Sequence, residues 1–295
     1  MATFSDTIKN IFVLLLLLQF APPLLQNIKH QYTKLLEPRS QVGYLSIKGL
    51  LYDSAYYTKY LKKFFENNEI KAIVLKIESP GGASGTAESI AHEIDILKKE
   101  HPKPIITYTE NVCASAAYYI ASTTDYIIAA PSTLVGSIGT SIPAQFQLKE
   151  FIEQFKIHYE LIKSGQYKSA TDPFVDLSPE QKELLQGLAD DSHQNFIEHI
   201  KKHRHMMAGQ DTKEWAEAQL FTGRQALQKK LIDQLGSKSD AVEKVKELGI
   251  IHGKIEWVKP EQQDGLFGML FGSSQTNAPM SSLTNMIFER LGILC

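Results

Sequence analysis

Cysteine is nearly absent from this chain of 295 residues: Cys113 and Cys295 are the only two, far apart and without metal-type spacing, which excludes a disulfide framework and gives no zinc signature. An excess of charge of either sign is missing too. The 31 Lys plus Arg stand against 33 Asp plus Glu, so a surface built to bind polyanions is not implied. There is no Walker lysine, no G-x-G-x-x-G and no internal repeat. What is present is an ordinary globular composition, 43% hydrophobic and 22% charged, which excludes disorder as the main state. A chain of this length buries roughly 75% of its unfolded surface, and one globular domain with appendages is expected.

The first appendage is apolar. From Ile11 to Phe20 the only polar residue is Gln19, and after Ala21-Pro22-Pro23 the run resumes with Leu24-Leu25 before Lys29, Lys34 and Arg39. Fifteen helical residues span about 22 Å against a hydrocarbon core of about 30 Å, so the segment is short for a spanning helix and could also be a signal-peptide core. Ala21 is followed by Pro22 and no A-x-A site follows, which favours an uncleaved signal anchor with its linker over residues 1–40. Counted by charge alone, the flanking basic residues place the C-terminal domain in the cytoplasm. A second appendage, residues 260–295, carries an apolar helix from about Leu283 to Leu294.

Between them, residues 41–259 alternate short β-branched runs with helical patterns. Strands are expected at Val42–Ile47, Ile70–Ile77, Ile105–Tyr108, Tyr126–Ala130 and near Ile157–Ile162, and helices over Ser54–Asn67, from about Gly85 to Glu100 and from Ser115. Such alternation argues βαβ units and a largely parallel sheet, hence an α/β fold. Ser178, Pro179 and Gln181 form a capping box that opens a long helix to about His205, and the polar stretch from Lys163 to Pro179 before it reads as a loop. The C-terminal third is expected to be mostly helical.

Ligands and catalysts in parallel sheets sit beyond the C-terminal ends of strands. Ser79-Pro80-Gly81-Gly82 reads as a turn there, either a plain tight turn or one that aims backbone N–H groups at a developing oxyanion. Ser115 lies among small residues, Cys113-Ala114-Ser115-Ala116-Ala117, where it is either a helix N-cap or a nucleophile whose following N–H, that of Ala116, serves the oxyanion. A nucleophilic serine needs a base. Of the nine histidines, His193, His199, His203 and His205 cluster on the long helix and read as a solvated face, with no acidic ligand to complete a metal pair at His199 and His203. Lys168, in Ser164-Gly165-Gln166-Tyr167-Lys168-Ser169, is either an exposed loop lysine or a general base made neutral by desolvation.

Taken together, the Ser79-Pro80-Gly81-Gly82 segment, the Ala114-Ser115-Ala116-Ala117-Tyr118-Tyr119-Ile120 segment and the Ser164-Gly165-Gln166-Tyr167-Lys168 loop resemble, in order and spacing, the signal peptide peptidase A family, also called protease IV. Pro131 to Gly139 and Phe221 to Ala226 extend the likeness, which runs from about Val42 to Trp257. The resemblance implies a Clp-protease-like or crotonase-like α/β fold and a serine peptidase domain over 41–259. It implies Ser115 as nucleophile, Lys168 as base, Gly82 in the oxyanion hole and Ser137 orienting the lysine. It further implies a homo-oligomer, anchored in the cytoplasmic membrane with the catalytic domain outside, in which dyad members can come from neighbouring protomers. No metal or cofactor is expected. Ala116, Ala117 and Ala83 stand where the family more often has glycine, which would distort the site if their φ were positive. Cys113 reads as a small buried residue rather than a rival thiol. The leading expectation is a membrane-anchored endopeptidase of hydrophobic peptides such as cleaved signal peptides. A crotonase-type acyl-thioester hydratase or isomerase and an inactive membrane scaffold are the alternatives.

Overall fold

A computed structural model describes residues 38–142, 146–207 and 209–261; both appendages, residues 1–37 and 262–295, lie outside them. Nine strands form the sheet of the described residues, in the order β7-β6-β4-β2-β3-β5-β8, with β1 between β2 and β9. They are β1 (Arg39–Leu51), β2 (Ile70–Gly82), β3 (Ile105–Thr109), β4 (Val112–Ala114), β5 (Tyr126–Ala129), β6 (Leu134–Gly136), β7 (Leu220–Thr222), β8 (Gln234–Leu235) and β9 (Lys254–Val258). Every pairing is parallel except that of β6 with β7. The helices are α1 (Ala55–Glu66), α2 (Ser84–Glu100), α3 (Ala116–Ser122), α4 (Lys149–Gln154), α5 (Pro179–His203), α6 (Gly223–Gln228) and α7 (Lys238–Leu248). The α/β class and the repeated βαβ units expected from the sequence are thus what the chain builds.

At the centre of β2 the run Ala72-Ile73-Val74-Leu75 is apolar without a break because both faces of the sheet are covered there. Along β2, Ile73, Leu75 and Ile77 pack into a large core with Phe64 and Phe65 of α1, Ile90 and Ile94 of α2 and Ile120 of α3. The alternating residues Ala72 and Val74 enter a smaller core with Ile106, Ile128 and Ala241 and Val245 of α7. Period-two alternation across a doubly covered sheet is the physical source of the Ala72-Ile73-Val74-Leu75 run.

Several expectations are corrected. The Ser79-Pro80-Gly81-Gly82 segment is the end of strand β2, not a turn: Leu50 and Leu51 of β1 pair with Gly81 and Gly82 after a register shift at Gly49, whose φ is 69°. Ser79 secures that end, its Oγ donating to the Gly49 carbonyl at 2.6 Å and accepting the Gly81 N–H at 3.1 Å. No strand forms at Ile157–Ile162. That segment has no partner strand, and Ile157 and Ile162 are exposed, so its β-branched residues find neither a ladder nor a core. Among the described residues the C-terminal third is less helical than expected, since β7, β8 and β9 complete sheet edges there, and the apolar helix expected from about Leu283 to Leu294 lies outside the described residues. The capping box is as read from the sequence, with Ser178 Oγ accepting the Gln181 N–H at 3.2 Å and Gln181 Oε1 accepting the Ser178 N–H at 3.1 Å. Among the described residues no helix is long and apolar enough to cross a membrane.

Candidate active site

Strand β4 delivers Ser115 to the end of the sheet. Its N–H donates to the Gly136 carbonyl at 2.7 Å, and its own carbonyl accepts the Tyr119 N–H at 3.0 Å, so one residue ends a strand and starts helix α3. The chain changes direction there at φ 52° and ψ −129°. For a residue with a Cβ that conformation costs of order 1–3 kcal/mol and persists only where surrounding contacts impose it. Ser115 occupies the N-cap position, but its side chain makes no capping hydrogen bond, and its backbone is not in the extended region that capping residues use. Capping therefore does not account for this serine.

What imposes the bend is the end of β2. A Cβ at Gly81, whose φ is +112°, would stand 2.7 Å from the Ser115 Cβ, 3.0 Å from the Ala114 carbonyl oxygen and 3.1 Å from the Ala116 nitrogen. Only glycine lets the strand end lie directly against the serine and the amide that follows it. Gly82, one position on, is exposed, and a Cβ there would meet the Leu51 backbone at 2.2 Å. Glu78, which the sequence did not single out, steadies the approach to β4 from the other side. Its carboxylate accepts the N–H of Glu110 at 2.8 Å and that of Asn111 at 3.2 Å, and the Asn111 side-chain amide at 3.0 Å. A carboxylate at the end of a buried strand, 32 residues from its partner amide, leaves no local signal in a sequence.

The alanines that depart from the family pattern carry no strain. Ala83 has φ −68°, and neither Ala116 nor Ala117 is among the residues of positive φ. The observation that motivated an inactive scaffold is thereby removed. Cys113 is fully buried, and burial, with the nearby Glu78 charge, pushes its thiol up, so the thiolate needed for attack is disfavoured.

Ser115 lines a small, water-sized cleft. Ala87 and Glu88 of α2, Tyr119 of α3, and Ser192 and Phe196 of α5 stand around it, and Ala116 lines it as well. Tyr119 is firmly held. Its ring stacks on His199 with centroids 3.6 Å apart and 13° between planes, it meets Phe196 at 5.1 Å, and its carbonyl contacts His199 Nε2 at 3.1 Å. Burial pushes the Tyr119 hydroxyl up to about 12, with the charges of Glu88 and Asp95 adding to it. The reading of the histidines as a solvated face is corrected by these contacts: burial, reinforced by the charge of His203, brings His199 down to about 3, and burial lowers His203 also. His193 Nε2 lies 2.6 Å from the Ala216 carbonyl, and of the four only His205 is exposed.

Lys168 is elsewhere. It is exposed, it does not line the Ser115 cleft, and its N–H donates to the Gly165 carbonyl at 3.2 Å in a turn where Gly165 has φ +94°. The loop is tied to the start of α5 by the buried Gln181, whose Nε2 donates to the Gln166 carbonyl at 2.7 Å and to Ser169 Oγ at 3.3 Å. From Gln181 to Ser192, which borders the cleft, α5 advances about 16 Å at about 1.5 Å per residue. Ser137 is half-buried at the end of β6 with φ 51°, its N–H donating to the Gln219 carbonyl at 2.7 Å. Of the residues expected in the site, the fold brings Ser115 and Ala116 together at one cleft. Gly82 and Ser137 stand at neighbouring strand ends, and Lys168 does not join them within one chain.

A strained serine at a strand-to-helix junction, with a glycine strand end pressed against it, has a geometry suited to a nucleophile that attacks acyl groups. Residues 97–251 match the model of peptidase family S49, and the chain belongs to that family of serine peptidases. It is 30% identical over 220 residues to a putative protease of Methanocaldococcus jannaschii, covering 74% of this chain and 70% of that one. To a putative signal peptide peptidase of Enterococcus faecium it is 32% identical over 186 residues, covering 63% of this chain and 53% of that one. Among solved structures, the 1510-N membrane-bound stomatin-specific protease, as a lysine-to-alanine mutant in complex with a substrate peptide, aligns at TM-score 0.49 and 18% identity over 79% of this chain and 98% of that one.

Proposed function

We propose that this S49 peptidase is a membrane-anchored serine endopeptidase that hydrolyses hydrophobic peptides, released signal peptides among them, through a Ser115/Lys168 dyad and an acyl-enzyme. The observation that carries the reading is the strained backbone of Ser115 at a cleft, with no capping bond to explain it. A neutral Lys168 amine takes the Ser115 proton as Oγ attacks the scissile carbonyl carbon, and backbone N–H groups at Gly82 and Ala116 stabilise the oxyanion. The lysine returns the proton to the leaving amine and the peptide bond breaks. It then takes a proton from water, whose oxygen attacks the ester carbonyl, and returns that proton to Ser115 Oγ as the ester C–O bond breaks and the acid leaves. Ser137 orients the lysine. The name of the Enterococcus faecium relative supports signal peptides as a substrate class.

We assign the lysine to a neighbouring subunit of a homo-oligomer. The length of α5 between Gln181 and Ser192 argues against closure within one chain, because the loop would first have to leave Gln181. An exposed apolar surface beside that loop supports a contact with a second copy: Phe151 is 57%, Phe155 63% and Ile162 94% exposed. Burial at such a contact disfavours the charged form of an amine, which is what a general base requires. The apolar run from Ile11 to Phe20 supports an anchor in the membrane; the catalytic domain is placed on its outer side by the family resemblance, against the count of flanking basic residues.

Mixing Ser115→Ala and Lys168→Ala chains, each inactive alone on casein or a signal-peptide mimic, tests both assignments. Co-assembly restores a fraction of wild-type turnover if serine and lysine meet across a contact, and none if they meet within a chain. Full activity of either variant alone refutes the dyad.

A further inference from the structure

A lysine on an exposed loop serves as a base only if the loop keeps its shape, because a misplaced amine rarely meets the proton it must take. Residues 163–172 belong to no strand or helix. They are a run of tight turns, in which the Ala170 N–H donates to the Tyr167 carbonyl at 3.1 Å and the Asp172 N–H to the Ser169 carbonyl at 3.2 Å, following the Lys168 turn on Gly165. One hydroxyl closes the run. Ser169, the residue after Lys168, is 2% exposed, and its Oγ accepts both the Lys163 ammonium at 2.5 Å and the Gln181 Nε2 amide at 3.3 Å. A serine hydroxyl has two acceptor lone pairs, and both are taken here. Lys163 thus joins the two ends of the loop, while Gln181 ties the same oxygen to the start of α5.

Two features set Lys163 apart from an ordinary surface lysine. Among the described residues its ammonium pairs with no carboxylate, so its charge is directed at a neutral hydroxyl; a hydrogen bond from a charged donor is stronger than a neutral one. The bond also falls where burial changes along the chain: residues 161–168 are exposed throughout, whereas Ser169 and Ala170 are buried. The loop is therefore fastened at its buried end with Lys168 left exposed at the adjoining position. We propose that Lys163 and Ser169 are positioning residues for the hydrolysis: their bond closes the loop into a fixed support that presents Lys168 to the Ser115 of a neighbouring subunit. Both act through Lys168. The assignment rests on the Ser115/Lys168 dyad across a subunit contact, and adds to it how an exposed base is held before that contact forms.

The mixed oligomer of Ser115→Ala and Lys168→Ala chains tests this, because only the first chain supplies the lysine. Lys163→Met, which keeps the stem and removes the donor, is added to one chain at a time, and Ser169→Ala is compared in the same way. In the Ser115→Ala chain either change lowers the restored kcat at least about fivefold more than it does in the Lys168→Ala chain. KM stays within twofold, and Lys163→Arg, which still donates to Ser169, keeps most of the restored kcat. A loss of folding or assembly would lower turnover alike from either chain. A difference between the two arms under about fivefold, while the unmodified pair restores turnover, refutes the positioning role alone. If the unmodified pair restores nothing, the dyad across the contact falls and the positioning role with it.

Discussion

Replacing Gly81 with alanine probes the contact on which the site depends. At φ +112° a side chain is strained by about 1–2 kcal/mol. The new methyl also meets the Ser115 Cβ at 2.7 Å, with the Ala114 carbonyl and Ala116 nitrogen at 3.0 and 3.1 Å, so none of the neighbours is the free end of a flexible chain. Overpacking of this kind adds about 1–3 kcal/mol, which makes a total of about 2–5 kcal/mol. Relief requires β2 and the Ser115 junction to move apart, and a displacement of about 1 Å at a nucleophile costs about a hundredfold in rate. Gly85 is the control. In α2 a Cβ there meets nothing within 4 Å and its φ is not positive, so Gly85→Ala should raise stability by about 0.5 kcal/mol. Urea unfolding gives the stabilities, and the rate of fluorophosphonate labelling reports the geometry of Ser115. If Gly81→Ala unfolds within 0.5 kcal/mol of wild type and labels at the same rate, the close approach is not what shapes the junction.

Three further outcomes are expected. Ser115→Gly removes the strain of φ 52°, a relief of about 1–3 kcal/mol offset by about 0.5–1 kcal/mol of backbone entropy, so the protein should gain about 1 kcal/mol in urea while losing all cleavage; a loss of stability would contradict the strain. Gln181→Ala removes half of a capping box and two bonds to the lysine loop, and should cost about 2 kcal/mol; a change under 0.5 kcal/mol would show that the loop is held by something else. His199, held at about 3 by burial and by the charge of His203, binds its proton more readily in the unfolded chain, so the stability it contributes is complete above pH 6.5 and lost as pH falls from there toward 3. From pH 7 to 5 that loss is about 2 kcal/mol. His199→Phe keeps a ring against Tyr119 and should shrink the acid loss by that amount, although His203, Asp95 and Lys202 remain to titrate around it; equal pH slopes in the two proteins would refute the assignment.

Features fixed by neighbours in the chain were legible early. The capping box at Ser178 and Gln181 is a matter of residues three apart, and the βαβ rhythm from β1 to β5 follows from short-range periodicity. The strand expected at Ile157–Ile162 failed for the opposite reason, because alternation states only that a segment could pair, and no partner lies beside it. The histidines at 193, 199 and 203 looked like a solvated face since helical spacing gives a direction without saying what fills it, and α3 fills it with Tyr119. Glu78 was invisible because its partners are backbone amides brought alongside by a different strand.

By itself the sequence determined the α/β class and the family, since those are carried by residue type, order and spacing. It left Ser115 open between cap and nucleophile and Lys168 open between surface and base. Tertiary structure set aside the cap reading, since Ser115 makes no capping bond, and the parallel pairing of β1, β2, β4 and β6 sets its backbone angles and the gap that only Gly81 fits. For Lys168 it supplied a position, because Gln181 ties the loop to the start of α5 while the serine cleft lies against Ser192 and Phe196 farther along that helix. Dihedral angles and separations of this kind arise from contacts between distant parts of the chain, which no local pattern encodes.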